Sequence, residues 1–241
     1  MNDNPITSTF EKPFMLTGSE GNHTMTRLLL SCSPLDELLG GGLEEKTITE
    51  IFGEAGTGKT NICLQAAREC ANTGKKVAYI DSEGVSLERL RQICDGYDEE
   101  TIINNILIFS PTSQENQEKM ICNALKIKDI SLIIVDTLNL FYRLNLEEDK
   151  EGSLRSFARQ VGMLQKAARE KNLFIIISEQ VYTDKNGDIR PFTSRDVEHL
   201  VKTIIKLERI DNGIREATIM KHRSEPEGKR TRFKITQTGL K

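Results

Sequence analysis

The chain has 241 residues, of which 37% are hydrophobic and 29% charged, and its formal net charge is −3 at pH 7. This composition is that of a globular protein with a full core, and the slightly negative charge excludes a strongly basic, indiscriminate nucleic-acid binder. No apolar run reaches the length of a membrane span, and the N-terminus lacks the basic and then apolar order of a signal peptide. The five cysteines form no C-x-x-C pair, so we expect reduced thiols in a cytoplasmic protein.

Residues 1–26 are polar and lack a sustained hydrophobic period, and two prolines and two glycines interrupt them. This composition predicts a flexible leader. We expect one ordered domain over residues 27–241.

From residue 48 onward, short apolar runs rich in β-branched residues alternate with amphipathic stretches. The apolar runs predict strands, and the amphipathic stretches predict helices. Nearly continuous apolar strands separated by helices indicate a mostly parallel sheet that is covered on both faces, an α/β fold. The strands are expected at Ile48–Phe52, Lys76–Ile80, Ile106–Phe109, Ser131–Val135 and Leu173–Ser178, and the helices at 59–73, 86–95, 114–128 and 151–171.

The pattern changes after Glu198, where three strand-like runs follow one another without helices between them. Short turns rich in Gly, Pro, Asn and Asp separate the runs, which predicts an antiparallel meander added to the edge of the sheet. The three runs are His199–Glu208, Gly213–Lys221 and Lys229–Thr236.

The sequence GEAGTGKT fits the phosphate-loop pattern G-x-x-x-x-G-K-S/T and stands between a predicted strand and a predicted helix. Glycines let the backbone turn its N–H groups toward an anion, and the positive end of the helix dipole adds to the attraction. Lys59 would reach the β- and γ-phosphates, and the Thr60 hydroxyl would coordinate Mg²⁺. The predicted nucleotide-binding residues of this segment are Gly53, Glu54, Ala55, Gly56, Thr57, Gly58, Lys59, Thr60 and Asn61.

Two further predicted strands end in acidic residues, and the carboxyl ends of parallel strands meet at the edge where the phosphate loop lies. SLIIVD ends in Asp136, a candidate for binding Mg²⁺ through water. YIDSEG supplies Asp81 and Glu83, one of which could orient a water for attack on the γ-phosphate. Their spacing does not choose between them, and capping of the next helix by Asp81 or Ser82 is the alternative.

These motifs, in this order and preceded by LLSCSPLDELLGGGLEEKTITEIF, resemble the RecA/RadA recombinase family over roughly residues 27–240. LIIVDTLNLFYR is similar to the metal-binding strand of that family, IIISEQV to its sensor strand, and HRSEPEGKRTRFKITQTGL to its C-terminal meander. The resemblance implies a RecA-like P-loop ATPase core that uses ATP and Mg²⁺. Because the chain shows no N-terminal helical DNA-binding domain, it is most similar to the short archaeal members of the family.

The resemblance also implies roles for individual residues. Glu83 would activate the attacking water with Asp81 as a supporting acid, and Gln180 would sense the γ-phosphate and relay its state to the DNA-binding loop. Arg89 would stack on adenine, although the segment before it is one residue shorter than in related ATPases.

The stretch Lys221-His222-Arg223 ends the second predicted strand of the meander. Residues two apart on a strand share a side, so Lys221 and Arg223 would project together while His222 packs or caps. In the ATPases that the chain resembles, cations at this place reach the γ-phosphate bound by the neighbouring subunit. The residues alone fit a solvated basic edge equally well.

The chain departs from the family pattern at the subunit-docking motif, which is Phe-x-x-Ala in full recombinases. The nearest match is FEKP, from Phe10 to Pro13. Filament formation by that route is therefore not expected.

Two loops are candidates for binding DNA. The first, FYRLNLEEDKEG, carries three acids that repel a phosphate backbone, which leaves Tyr142, Arg143 and Lys150 as contacts. The second, VYTDKNGDIRPFTSRD, interleaves cations and aromatic residues, as suits single-stranded DNA. Its candidate contacts are Lys185, Arg190 and Arg195, with Tyr182 and Phe192.

Taken with these features, the resemblance implies an ATP-binding accessory protein of homologous recombination and DNA repair with weak ATP hydrolysis. Its expected partners are DNA, preferably single-stranded and at moderate affinity, a RadA-type recombinase, other recombination proteins and further copies of the chain. One alternative is an autonomous DNA-dependent strand-exchange ATPase, against which the acidic loop and FEKP count. The other is a RecA-fold signalling or motor ATPase that does not act on DNA, which the negative net charge would suit.

Overall fold

The computed structural model describes residues 26–183, 189–191, 197 and 199–241 of the chain. In chain order, their elements are β1 (Arg27–Leu28), α1 (Ser33–Leu38), β2 (Leu43–Glu44), β3 (Thr47–Gly53), α2 (Lys59–Asn72), β4 (Lys76–Asp81), α3 (Leu87–Ile93), α4 (Glu99–Asn105), β5 (Ile106–Phe109), α5 (Gln114–Ala124), β6 (Ile130–Asp136), α6 (Leu140–Leu144), α7 (Lys150–Lys171), β7 (Phe174–Glu179), β8 (Val181–Thr183), β9 (Ile189–Pro191), β10 (Thr203–Asp211), β11 (Ile214–Lys221), β12 (Arg230–Thr236) and β13 (Gly239–Leu240).

Within the described residues, the main sheet has nine strands in the order β13-β12-β11-β10-β3-β7-β6-β4-β5. The strands from β10 to β5 pair in parallel, and β10 to β13 form an antiparallel meander at one side. The predicted α/β architecture, a mostly parallel sheet with a C-terminal antiparallel meander, is confirmed.

Helices cover both faces of the sheet because its central strands are apolar on both sides. Along β6, Leu132 and Ile134 belong to one hydrophobic core while Ile133 and Val135 belong to the other, as the alternation of a strand requires. The helices α1 to α4 pack on the first core, and α5 and α7 pack on the second. The polar strand ends are left at the two edges of the sheet, where a site can form.

Each of the five predicted parallel strands is present, with ends that differ from the prediction by at most one residue. The helix predicted over 114–128 is wrong at its end, since α5 stops at Ala124. Its continuation is made of tight turns in which Lys126 N–H donates to Asn123 O at 3.0 Å and Ile127 N–H donates to Ala124 O at 3.1 Å.

The first strand of the meander begins later than predicted, at Thr203 rather than His199, because pairing with β3 starts there, between Thr203 and Thr49. Helix α4 was not predicted from the sequence, although a capping residue precedes it. The Asp98 side chain caps this helix by accepting a hydrogen bond from Thr101 N–H at 3.2 Å.

The predicted leader, apart from its last residue, and the FEKP segment lie outside the described residues. Among the helices that the structure describes, none combines the length and the apolar composition needed to cross a bilayer.

Candidate functional site

The carboxyl ends of β3, β4, β6 and β7 meet at one edge of the sheet and carry most of the predicted site residues. The phosphate loop follows β3, Asp81 ends β4, Asp136 ends β6, and Gln180 follows β7. Parallel α/β sheets bind their ligands at this edge.

The phosphate loop has the backbone that an anion site requires. Gly58 adopts φ 103° and precedes α2 without a side-chain capping bond, so the first N–H groups of the helix are left for another acceptor. Only glycine adopts this φ without strain. A Cβ atom on Gly53 would lie 2.4 Å from the Leu207 carbonyl oxygen, so the loop can pass the meander only with glycine there.

Lys59 lies inside the loop. Its Nζ donates hydrogen bonds to Gly53 O at 2.7 Å and Glu54 O at 3.0 Å. Burial lowers the pKa of Lys59, and the negative charges of Glu83 and Asp136 oppose that shift. The ammonium group thus stands among carbonyls and acids, where the phosphates of a nucleotide would provide stronger partners.

Asp136 is buried, and both of its carboxylate oxygens accept hydrogen bonds. Ser178 Oγ donates to Oδ1, and the Tyr79 hydroxyl donates to Oδ2 at 2.7 Å. Burial raises the pKa of Asp136, whereas its bonds from Ser178, Tyr79 and Thr60 oppose that shift. The structure therefore brings together Thr60 and Asp136, the two predicted ligands of the metal, and fixes the carboxylate.

Glu83 and Gln180 are 97 residues apart in sequence, and their side chains form a hydrogen bond with each other. Gln180 Nε2 donates to Glu83 Oε1, and the same oxygen accepts a hydrogen bond from Thr137 Oγ1 at 2.5 Å. The predicted catalytic acid and the predicted sensor thus touch in the same structure. Sequence reasoning did not find Thr137, which directly follows Asp136.

Asp81 has a different environment. Its Oδ1 accepts from Gly84 N–H at 2.8 Å, and its Oδ2 accepts from Val85 N–H at 2.6 Å. Asp81 is 7% exposed, so backbone N–H groups rather than solvent are the main hydrogen-bond partners of its carboxylate. Asp81 thus holds the loop that carries Glu83, and the choice of Glu83 as the acid that activates water stays a prediction.

Asn139 was also missed and links the sensor to α6. Its Nδ2 donates to Gln180 O at 2.9 Å, and its Oδ1 accepts from Gln180 N–H at 3.1 Å. Asn139 is fully buried and precedes α6. This pair of bonds fixes the Gln180 backbone to the start of the first candidate DNA-binding segment.

Arg89 lies at the rim of the site, where hydrogen bonds from the nitrogens of its guanidinium group hold it in place. Nε donates to Asn61 Oδ1 at 2.8 Å, and the terminal nitrogens donate to Thr236 O at 2.8 Å and Gln237 O at 2.7 Å. Burial lowers the pKa of Arg89. Hydrogen bonds at its edges leave the planar faces of a guanidinium for stacking, which is the role predicted from the resemblance.

The meander also contacts the phosphate loop. Arg215 Nε on β11 donates to Gly56 O at 3.0 Å. A Cβ atom on Gly58 would lie 3.0 Å from Ile235 Cδ1 on β12. Neither residue carries a motif that could have identified it, because the contacts arise only when the meander joins β3.

Lys221 and Arg223 lie away from the phosphate loop of their own chain. Lys221 pairs with Ile204, near the start of β10, whereas the loop begins at Gly53, which pairs with Leu207. Lys221 is therefore displaced from Gly53 by three residues along the strands, which is about 10 Å, and by two strand spacings across the sheet, which is also about 10 Å. The prediction that both cations share a strand is wrong, because β11 ends at Lys221 and Arg223 lies in the exposed turn beyond it.

His222 caps this turn, as predicted. Its Nδ1 accepts hydrogen bonds from Ser224 N–H at 3.2 Å and Glu225 N–H at 3.0 Å. Its Nε2 is buried without a hydrogen-bond partner among the described residues. Burial lowers the pKa of His222, and this exceeds the opposite effect of Glu44 and Glu225.

The free energy of unfolding is expected to fall as the pH drops below about 6.5, the usual pKa of histidine, because the unfolded chain binds a proton at His222 more readily than the folded chain does. Above that pH, where His222 is neutral in both states, its contribution to the free energy of unfolding is fully present. His222→Asn keeps an acceptor for the turn and removes the titration. Urea unfolding at pH 7.5 and 5.5 measures the loss of unfolding free energy between the two pH values. This loss should be smaller for His222→Asn than for wild type, and the exposed control His199→Asn should lose as much as wild type.

The first candidate DNA segment is folded. Tyr142 in α6 packs on Phe157 with ring centroids 5.3 Å apart and is 8% exposed, so its predicted contact with DNA is wrong. Asp149 caps α7 by accepting from Gly152 N–H at 2.9 Å, which gives this acid a structural role. Arg143, in the last turn of α6, remains half-buried.

In the second candidate segment, β8 and β9 pair in the antiparallel sense, with the backbone of Tyr182 opposite that of Arg190. Lys185, Arg195 and the side chain of Arg190 lie outside the described residues. Their proposed contacts with DNA stay predictions.

Comparison with known proteins finds the same family over almost the whole chain. A family model described as Rad51 matches residues 22–241. The DNA repair and recombination protein RadB of Methanococcoides burtonii is 45% identical over 221 residues, which cover 89% of this chain and 97% of that protein. The RadB protein of Halobacterium salinarum is 35% identical over 223 residues, which cover 89% and 94%. A solved structure described as the RadB recombinase superposes with a TM-score of 0.79 and 32% identity over 88% of this chain and 98% of that one.

Proposed function

Since this chain belongs to the Rad51 family and is related over most of its length to the RadB proteins of DNA repair and recombination, we propose that it is an ATP-binding accessory protein of homologous recombination. It binds DNA, modulates a RadA-type recombinase and hydrolyses ATP slowly. The observation that carries this proposal is the contact of Glu83 with Gln180 beside the phosphate loop. We place this activity in the cytosol, which the free thiols of all five cysteines support.

The residues at the carboxyl edge fit ATP with Mg²⁺. The uncapped start of α2 and the Lys59 ammonium provide donors for phosphates. A Cβ atom on Gly56 would meet nothing within 4 Å, so the loop is open at its tip. Thr60 and Asp136 supply the hydroxyl and carboxylate oxygens that Mg²⁺ prefers.

When bound, ATP provides the bond to be cleaved and Mg²⁺ neutralises charge on its phosphates. Lys59 adds positive charge beside the β- and γ-phosphates. Glu83 orients a water and accepts its proton, while Thr137 and Gln180 hold one of the Glu83 oxygens in place. Because Asn139 bonds the backbone of Gln180 and precedes α6, a change in the hydrogen bond between Gln180 and Glu83 would alter the position of α6.

Slow hydrolysis follows from the distribution of cations. Lys221, at the end of β11, lies two strands away from the phosphate loop of its own chain, and Arg223 lies in the turn beyond that strand. A single chain therefore lacks part of the positive charge that stabilises the transition state, and a neighbouring copy would supply it. The protein would bind ATP as a monomer and hydrolyse it only in an assembly.

ATP turnover should be measured against protein concentration, with and without single-stranded DNA, using Lys59→Ala as the blank. We expect ATP to bind, and turnover to stay near the blank at low concentration and to rise faster than linearly as copies associate. A recombinase of the RadA type should then be added, and its strand exchange should respond to wild-type protein but not to Lys59→Ala. Strand exchange by the pure protein would instead favour the autonomous recombinase. Failure to bind single-stranded DNA at low salt would favour a signalling or motor ATPase.

A further inference from the structure

The amino ends of the parallel strands meet at the edge of the sheet opposite to the nucleotide site. Five exposed lysines, which we call the lysine edge, lie directly before or near the starts of four neighbouring strands. They are Lys46 before β3, Lys171 before β7, Lys126 and Lys128 before β6, and Lys75 before β4. The sequence order scatters these residues, and only the order of the strands brings them together.

Two of these lysines have a structural role. Lys171 Nζ donates to Leu125 O at 2.5 Å and so closes the end of α5, and Lys46 lies 3.8 Å from Glu45. The other three, Lys75, Lys126 and Lys128, form no ion pair and no side-chain hydrogen bond with any described residue. Since Lys76 N–H donates to Asp129 O, the chain segments that carry Lys75 and Lys128 run side by side.

Few acids offset this charge. Among the described residues, Glu45 lies 3.8 Å from Lys46, Glu170 lies 3.8 Å from Lys166, and Asp129 follows Lys128 in the chain. In a chain with a net charge of −3, like charges that stand together unpaired cost stability, and a polyanion would remove that cost.

The dimensions of the lysine edge point to duplex DNA. Its outer lysines, on the β3 and β4 sides, are three strand spacings apart, or about 14 Å. This separation matches the ~12 Å width of the major groove, so cations at the two ends can contact phosphates on both of its sides. The described residues place no exposed aromatic side chain among these lysines, whereas proteins that bind single-stranded DNA combine positive charge with aromatic side chains on which the bases stack.

We propose that the lysine edge is a second DNA contact, which binds the phosphate backbone of duplex DNA without reading its sequence. The inference rests on the proposal that the chain acts on DNA. It separates two tasks in space, with single-stranded DNA at the loops of the carboxyl edge and duplex DNA at the amino edge. The lysines on the β6 and β4 sides lie roughly 20 Å from β11, so this contact leaves Lys221 and Arg223 available to a neighbouring copy.

The test compares two double variants with the same change of charge. Lys126→Glu with Lys128→Glu alters the lysine edge, and Lys119→Glu with Arg155→Glu alters exposed cations that are already paired within α5 and α7. Binding to a 30-base-pair duplex is followed by fluorescence anisotropy between 50 and 200 mM salt. We expect the first variant to lose at least about tenfold in affinity and about two units of slope in the plot of log affinity against log salt, and the control to lose neither.

Equal losses in both double variants, or no loss in the first, would overturn the proposal. Binding of polyglutamate as tight as that of the duplex at equal charge would also overturn it, because the surface would then recognise an acidic polypeptide. Single-stranded DNA binding is measured in parallel with an Arg143→Ala variant. If single-stranded binding persists while duplex binding is absent, the second contact is wrong and the proposed function stands.

Discussion

Glu83→Gln is expected to reduce ATP hydrolysis on the order of 100-fold or more while leaving ATP affinity within about threefold of wild type. The substitution keeps the shape of the side chain and removes the group that accepts a proton from water. Nucleotide binding depends instead on the phosphate loop and Lys59, which the substitution does not touch. Single-turnover hydrolysis, with protein in excess over labelled ATP, measures the first quantity and equilibrium nucleotide titration the second.

Asp81→Asn is the matched control, because it removes the other carboxylate at the same end of the sheet. One of the two carboxylate oxygens that accept from the backbone N–H groups of the loop would become an NH2 group, so the free energy of unfolding should fall by about 1–3 kcal/mol. Hydrolysis by the folded variant should change by less than about tenfold. The opposite pattern, with Glu83→Gln active and Asp81→Asn inactive, would assign the base to Asp81 and contradict our reading of the site.

The double substitution Lys221→Ala with Arg223→Ala is expected to abolish the rise of turnover with protein concentration, a loss on the order of 100-fold at high concentration. ATP binding should be unaffected, because both cations lie away from the phosphate loop of their own chain. Turnover is measured over a wide range of protein concentration, with the state of association followed by light scattering. Lys126→Ala with Lys128→Ala removes equal charge from the same edge of the sheet and should leave turnover unchanged.

Mixing two inactive variants distinguishes action between chains from a structural effect. Lys59→Ala keeps its trans cations, and the Lys221→Ala/Arg223→Ala variant keeps its phosphate loop. In a head-to-tail assembly, roughly a quarter of the interfaces would combine both intact parts and restore hydrolysis in proportion. A mixture that stays as inactive as its components would show that the cations do not complete a neighbour's site.

Predictions from sequence succeeded where the physics is local. The phosphate loop was readable because its strand, loop and helix are contiguous, and the backbone geometry depends on glycines at fixed spacing. The strands were readable because burial on both faces demands unbroken apolar runs. The end of α5 and the start of β10 were misplaced, because tight turns and strand pairing rather than composition set those limits.

The position of Asp136 at a strand end and the presence of two acids at or just after the end of β4 were thus determined by the sequence alone. Only the tertiary structure shows that the two acids have different surroundings, because Asp81 accepts from loop backbone whereas Glu83 contacts Thr137 and Gln180, which is 97 residues away. The same holds for Asn139, for Arg215 at the phosphate loop, and for the lysine edge. Each depends on which strands become neighbours, and that order is set by the packing of the whole sheet, which no local pattern of residues records.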